Sequence, residues 1–320
     1  MGDISTMPVA VGAVIGGLAV LVLAADRVVV AAVRVSQAIG LSAVLIGALV
    51  VGLGTSIPEL LVSTLAAVDG RLDVAMANVV GSNVTNVTLV LGSAALMAPL
   101  AARSVTIRRE GLLMLVAIAV LAAVLLDGTV EAYEGGALAF GLLVALYLLI
   151  RWSLGDAAAE VAVEAELEEM IAGTQGSALR ELAVGFVAIG LTVFAANMLL
   201  QGSLAIGRRM DVGDGFLGIM LGVGTSLPEL ATSIAAVRRR EPDLVIGNVL
   251  GSNIFNSLAV AGVAGLVGAG ALSDLTTTAV WVMVAVCLAA GWFSHTGLRL
   301  VRVEGGVLVA AFLAFAIASY

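Results

Sequence analysis

Two acidic side chains stand inside long apolar runs of this sequence, Glu59 and Glu229. Each follows Gly-Thr-Ser-x-Pro, and each precedes by 27 positions the Asn that closes Gly-Ser-Asn-x-x-Asn. A carboxylate in the middle of a membrane span is costly, and it persists where a cation, a proton or a basic partner compensates its charge. No Arg, Lys or His stands at comparable depth in either run, which leaves a cation or a proton. The surrounding side chains are oxygen donors: the hydroxyls of Thr55, Ser56, Ser82, Thr225, Ser226 and Ser252, and the amides of Asn86 and Asn256. Backbone carbonyls near Gly52, Thr55, Gly222 and Thr225 join them, because Pro58 and Pro228 lack the N–H that would bond a carbonyl four residues back. Hard oxygen donors without sulfur or imidazole suit Na⁺, Ca²⁺ or Mg²⁺, and not zinc or copper. Ser82 and Asn86 are four apart, as are Ser252 and Asn256, so each pair shares a helix face. Small and hydroxyl residues at such spacing also serve close helix packing in membranes. Two copies, each tied to a buried Glu, favour ligand binding over packing.

The stretches that carry these residues are copies of one another. Residues 51–92 and 221–262 align without a gap, 170 positions apart. A polar, broken transmembrane segment repeated in two halves is a sequence pointer to a transporter site. Ten apolar segments are long enough to span a bilayer: 8–25, 38–68, 74–100, 111–127, 135–151, 181–201, 214–238, 243–270, 277–295 and 304–320. Gly54 with Pro58 is expected to break the second, and Gly224 with Pro228 the seventh. Five spans in each half make the halves enter from opposite sides. The predicted fold is therefore an all-α membrane protein of ten transmembrane helices in two inverted five-helix repeats. Residues 1–152 form the first, 181–320 the second, and 153–180 an acidic cytoplasmic linker.

Composition places the chain in the bilayer. Of 320 residues, 61% are hydrophobic and 12% charged, against roughly 25% charged in soluble domains. A net charge of −8 gives no footing for nucleic acid. Cys287 is the one cysteine, which excludes a disulfide framework. The start, MGDISTMPVA, has no basic stretch before its apolar run, so no cleaved signal peptide is expected. All fifteen basic residues are Arg. With the N-terminus outside, twelve fall at cytoplasmic span ends and Arg71, Arg208 and Arg209 at outer ends. The positive-inside rule then puts both termini outside, in the plasma membrane. The linker acids Asp156, Glu160, Glu164, Glu166, Glu168 and Glu169 lack the spacing of a calcium loop and read as a solvated connection. His295 and most of the Trp and Tyr residues fall near span ends, as interface groups do.

The paired segments GTSIPE with ANVVGSNVTN, and GTSLPE with GNVLGSNIFN, resemble the two alpha repeats of the cation/calcium exchanger superfamily, in its prokaryotic sodium/calcium exchanger branch. The resemblance implies a secondary-active antiporter that moves Ca²⁺ against Na⁺ by alternating access, electrogenically. It implies no enzymatic activity, no cofactor beyond the transported ions, and no obligatory protein partner. Carried over by position, Glu59 and Glu229 bind both ions, and the carbonyls of Thr55 and Thr225 complete the Ca²⁺ site. Ser56, Ser82, Ser226 and Ser252, with the backbone near Gly52 and Gly222, serve flanking Na⁺ sites. Asn86 and Asn256 line the centre, and the first and sixth spans slide as the gate. Prokaryotic members often carry Asp where this chain has Asn256. The proton-coupled branch tends to have Asn where Thr55 and Thr225 stand. The alternatives are a proton-coupled or Mg²⁺/Mn²⁺ exchanger and a passive cation channel.

Overall fold

Apolar runs of this length fold as helices because a bilayer leaves no water to bond an unpaired backbone. The computed structural model describes residues 6–39, 42–101, 104–164, 178–210, 223–272, 277–297 and 299–318. In chain order the helices are α1 (Met7–Ile39), α2 (Ala43–Ile46), α3 (Leu53–Thr55), α4 (Ile57–Val68), α5 (Leu72–Thr85), α6 (Leu91–Met97), α7 (Ser104–Leu125) and α8 (Ala132–Glu164). The second half holds α9 (Ala178–Arg209), α10 (Leu227–Arg238), α11 (Pro242–Phe255), α12 (Ala261–Gly268), α13 (Thr277–Gly297) and α14 (Arg302–Ala318). Among the described residues, five helices are long and apolar enough to cross a membrane, and the pair Ala43–Thr55 and Ile57–Val68 makes a sixth span bent by 44°.

The bend falls where the proline rule puts it. Ser56 has φ −84° and ψ 10°, and Pro58 sits in the first turn of α4. Ser226 repeats this with φ −89° and ψ 8° before Pro228 in α10. Among the described residues, three stretches widen into π-helix: Gly47–Gly52 between α2 and α3, Asn86–Val90 between α5 and α6, and Asn256–Val260 between α11 and α12. The last two open on Asn86 and Asn256, which hold the same place in the two copies. π-turns are rare and occur often at functional sites.

Packing exchanges the halves. Two-residue strands β1 (Leu100–Ala101) and β4 (Arg299–Leu300) pair antiparallel, as do β2 (Thr129–Val130) and β3 (Gly270–Ala271). In repeat numbering, each pair is the other with its members swapped. The same holds where α6 meets α14 and α12 meets α8. A Cβ on Gly92 would fall 3.0 Å from the Gly305 carbonyl, and one on Gly262 would fall 3.0 Å from that of Gly135. Helices α1 and α9 lie against each other antiparallel. A Cβ on Gly202 would meet the Ala10 carbonyl at 2.8 Å, one on Gly17 the Leu199 amide at 2.8 Å, and Arg34 bonds Glu181 at the far end.

The centre belongs to the repeated motifs. In the apolar window of Pro242–Gly268, 83% of residues are buried, against 22% for Met7–Ala38. Around this centre stand α1, α8 and α9, which expose Leu23, Phe140, Phe186 and Val187 outward, as lipid-facing helices do.

The boundaries differ most from the sequence expectation at the C-terminal ends of α1 and α8. The first span was expected over 8–25, yet α1 continues to Ile39. Its polar residues find partners that keep the helix going: Asp26 accepts from Arg239, and Arg27 and Arg34 both bond Glu181. Helix α8 likewise runs past 152 to Glu164. Residues 165–177 of the expected linker, with Glu166, Glu168 and Glu169, lie outside the described residues.

Candidate functional site

Glu59 lies in the first turn of α4 and Glu229 in the first turn of α10. Both side chains are fully buried. A helix N-terminus carries partial positive charge from its unbonded N–H groups, so each break presents its own carboxylate at a favourable pole. The halves then cross. Ser56 Oγ donates to Glu229 Oε1 at 3.0 Å, and Ser226 Oγ donates to Glu59 Oε1 at 3.5 Å. Each hydroxyl thus serves the carboxylate of the opposite copy, and the two motifs form one site.

The site leaves buried polar atoms of both carboxylates and their neighbours without partners among the described residues. Glu59 Oε2, Glu229 Oε2, Ser82 Oγ, Thr225 Oγ1 and both amide atoms of Asn86 and Asn256 are buried with no hydrogen-bond partner among the described residues. Buried polar groups are nearly always paired, so a cluster of unpaired oxygens needs a physical account. No ion pair among the described residues involves either glutamate. No third carboxylate, His or Cys joins them there. Two carboxylates with neutral oxygens fit a hard cation that brings its own positive charge.

The predicted site residues divide by what the structure brings into contact. Gly52, Thr55, Ser56, Glu59, Ser226, Glu229 and Ser252 are joined directly. Ser252 Oγ donates to the Gly52 carbonyl at 3.2 Å, across the halves. Gly52 packs so tightly on α11 that a Cβ would fall 2.9 Å from the Asn248 carbonyl. Thr55 Oγ1 lies 2.9 Å from the Val51 carbonyl and 3.4 Å from Asn248 Oδ1. Ser82, Asn86 and Asn256 are buried on the helices that pack behind α4 and α10. Thr225 is half-buried at the second break. Gly222 lies outside the described residues.

Four further amides were not anticipated. Asn248 Nδ2 lies 3.3 Å from the Glu229 carbonyl, 3.3 Å from Thr232 Oγ1 and 3.1 Å from Ser233 Oγ. Asn78 stands in the same relation to the Glu59 carbonyl at 3.5 Å and to Ser63 Oγ at 3.0 Å. Each ties the helix that bears a glutamate to the helix behind it. Asn83 Nδ2 donates to Ser257 Oγ at 3.0 Å, and Asn253 Nδ2 donates to the Asn83 carbonyl at 3.4 Å, again across the halves. The signal was present: an Asn stands 19 positions after each Glu.

The profile of the family described as "Sodium/calcium exchanger protein" matches residues 9–174 and 181–320. The chain is 35% identical over 272 residues to the inner membrane protein YrbG of Escherichia coli (strain K12), covering 84% of this chain and 83% of that one. It is 29% identical over 340 residues to the sodium/calcium exchanger MaX1 of Methanosarcina acetivorans, covering 93% and 95%. Among solved structures it is similar to the sodium-calcium exchanger NCX_Mj soaked with Na⁺ and Sr²⁺. That match has a TM-score of 0.84 and 26% identity, over 98% of this chain and all of that one. The apolar helices and these relatives make the protein a multi-pass membrane protein. The chain belongs to the sodium/calcium exchanger protein family.

Proposed function

We propose that this protein is a secondary-active antiporter that exchanges Na⁺ for Ca²⁺ across the cell membrane by alternating access. The observation that carries the reading is the crossed pair of hydrogen bonds, Ser56 to Glu229 and Ser226 to Glu59. They gather two buried carboxylates, without basic partners among the described residues, at the junction of two like halves.

In this reading Glu59 and Glu229 hold either ion. The carbonyls of Thr55 and Thr225 complete the Ca²⁺ site, and Ser56, Ser82, Ser226 and Ser252 serve Na⁺ beside the backbone of Gly52 and Gly222. Asn86 and Asn256 line the centre as neutral groups. Ca²⁺ neutralises the two carboxylates, and an occupied bundle then rearranges around the ions. The empty site keeps two buried negative charges and resists the same rearrangement, which couples the two fluxes. The sliding pair is α1 with α9. Supporting this, α9 lays Ile189 against Gly54 and Leu200 against Gly224, so one outer helix touches both breaks.

The topology proposed is ten transmembrane helices in two inverted repeats, residues 1–152 and 181–320, joined by a cytoplasmic linker. The antiparallel pairing of α1 with α9, which are repeat equivalents, supports an axis perpendicular to the helices. The swapped strand pairs support it too. Arginine placement supports both termini outside the cell.

The test is ⁴⁵Ca²⁺ uptake into proteoliposomes with and without an outward Na⁺ gradient. Uptake that follows the gradient and saturates with Ca²⁺ is expected. Uptake indifferent to Na⁺ sinks the reading, and a single-channel current in place of counterflow points to a channel.

A further inference from the structure

The outer face of the α1–α9 pair carries a groove of about 530 Å³. Its floor is set by small residues, Ala24 on α1 and Ala188 on α9, both buried. Its walls are Val20, Leu23, Val187 and Leu191. At one end lies Arg27. Its side chain is 38% exposed, and its Nη2 donates to Glu181 Oε2 at 3.3 Å. Arg34 Nη1 donates to the other oxygen of that carboxylate at 3.0 Å. Arg180 is exposed on the neighbouring position of α9. Two arginines therefore share one acidic group, and a third stands exposed at the next position along α9. Asp26, beside Arg27 in sequence, is bonded to Arg239 by both oxygens at 2.6 Å.

Helix length places this cluster at the membrane surface. With 33 residues, α1 is about 50 Å long, against a hydrocarbon core of about 30 Å. Its last turns, with Arg34, and the first turns of α9 emerge among lipid headgroups. Arg27 lies deeper and reaches out along the groove, its stem on apolar residues and its guanidinium at the polar end. Glu181 uses one N–H of each arginine, and a guanidinium has five. No further partner of these two guanidinium groups stands among the described residues, and their remaining N–H groups suit a phosphodiester in the forked geometry that Arg favours.

We propose that this groove is a binding site for one anionic phospholipid, an acyl chain along Ala24 and Ala188 and the phosphate held by Arg27, Arg34 and Arg180. Charge and shape select it together. A zwitterionic lipid brings its own cation to an already cationic cluster. A soluble phosphate leaves the apolar floor unfilled. Basic pockets between transmembrane helices at the membrane surface take anionic headgroups in this way.

The experiment is native mass spectrometry of the full chain, released from nanodiscs of phosphatidylglycerol and phosphatidylcholine in equal amounts. Wild type is expected to retain one phosphatidylglycerol in preference to phosphatidylcholine. Arg180→Gln lowers that retention about fivefold, the equivalent of about 1 kcal/mol for one surface arginine. Ala183→Phe, at an exposed position lining the groove, fills it with every charge left in place. It abolishes the preference while the protein stays monodisperse in size-exclusion chromatography. Glycerol 3-phosphate, a soluble headgroup fragment, fails to displace the lipid. Equal retention of both lipids by wild type overturns the proposal. So does an Ala183→Phe variant that keeps the preference, and so does displacement of the lipid by glycerol 3-phosphate.

Discussion

The two glutamates owe their position to residues around them as much as to their own chain. Each sits at a helix start made by proline, takes a serine from the opposite copy, and has its own carbonyl tied back by an asparagine. In the proposed site, replacing one carboxylate with an amide would leave a divalent ion under-compensated where solvent cannot screen it, a deficit of several kcal/mol. Glu59→Gln and Glu229→Gln should each nearly abolish Na⁺-dependent Ca²⁺ uptake while the purified protein stays folded. Near wild-type flux in either variant would make the carboxylate structural. The amides at the centre carry a second prediction. Asn86 and Asn256 carry no charge, so in the proposed site a bound Ca²⁺ would already be balanced by the two carboxylates and would leave no place for a further K⁺. Ca²⁺ flux should persist when K⁺ is replaced by choline on both sides. Asn256→Asp adds a protonatable group and should make the flux more steeply pH-dependent than in wild type. A wild-type protein that stalls in choline would reverse this reading of Asn256.

Helix contacts in this protein divide into backbone approaches and polar ties. At Gly247 and Gly251, α11 lies so close to the stretch from α2 into the π-helix that an added Cβ would collide with the Val44 and Ala48 carbonyls. Main chain cannot yield as a side-chain tip does, so Gly247→Leu should destabilise the fold by about 3 kcal/mol. It should appear as a large drop in melting temperature, and an unchanged melting curve would refute the close approach. The Asp26–Arg239 pair is the opposite case. It is bidentate at 2.6 Å, but both side chains are over 40% exposed. Solvent screening limits such a pair to about 1 kcal/mol or less. Asp26→Asn should therefore lower the melting temperature only slightly, and less still in high salt. A loss rivalling that of Gly247→Leu would mean that charge, rather than apolar and backbone contact, holds α1 in place.

Across the two halves, the proposed exchange would carry net charge. In the proposed exchange, Glu59 and Glu229 would balance one Ca²⁺, while the three Na⁺ implied by the family resemblance would carry one net positive charge on the return. Moving one charge through the membrane couples transport to voltage at about 2.3 kcal/mol per 100 mV. A valinomycin-set potential should accelerate or retard Na⁺-driven Ca²⁺ flux according to its sign. Flux indifferent to the potential would require another stoichiometry.

Much of this was legible along the chain. Hydropathy marks the helices, proline marks the breaks at Ser56 and Ser226, and the repeat identifies Glu59, Glu229 and their oxygen-donating neighbours as one chemistry stated twice. These are local properties, written in composition and in spacings of a few residues. Partner choice across the fold was not legible. That Ser56 serves Glu229 instead of Glu59, that Ser252 reaches Gly52, and that Asn253 reaches Asn83 depends on contacts between positions 170 or more apart. The same is true of α1, whose length is decided by Glu181 and Arg239 far along the chain. Periodicity tells which residues are apolar and which face they share, and carries no information on which helix will meet that face. The meeting is set by backbone approach at glycines and by the pairing of buried polar groups, and both exist only once the two halves have packed together.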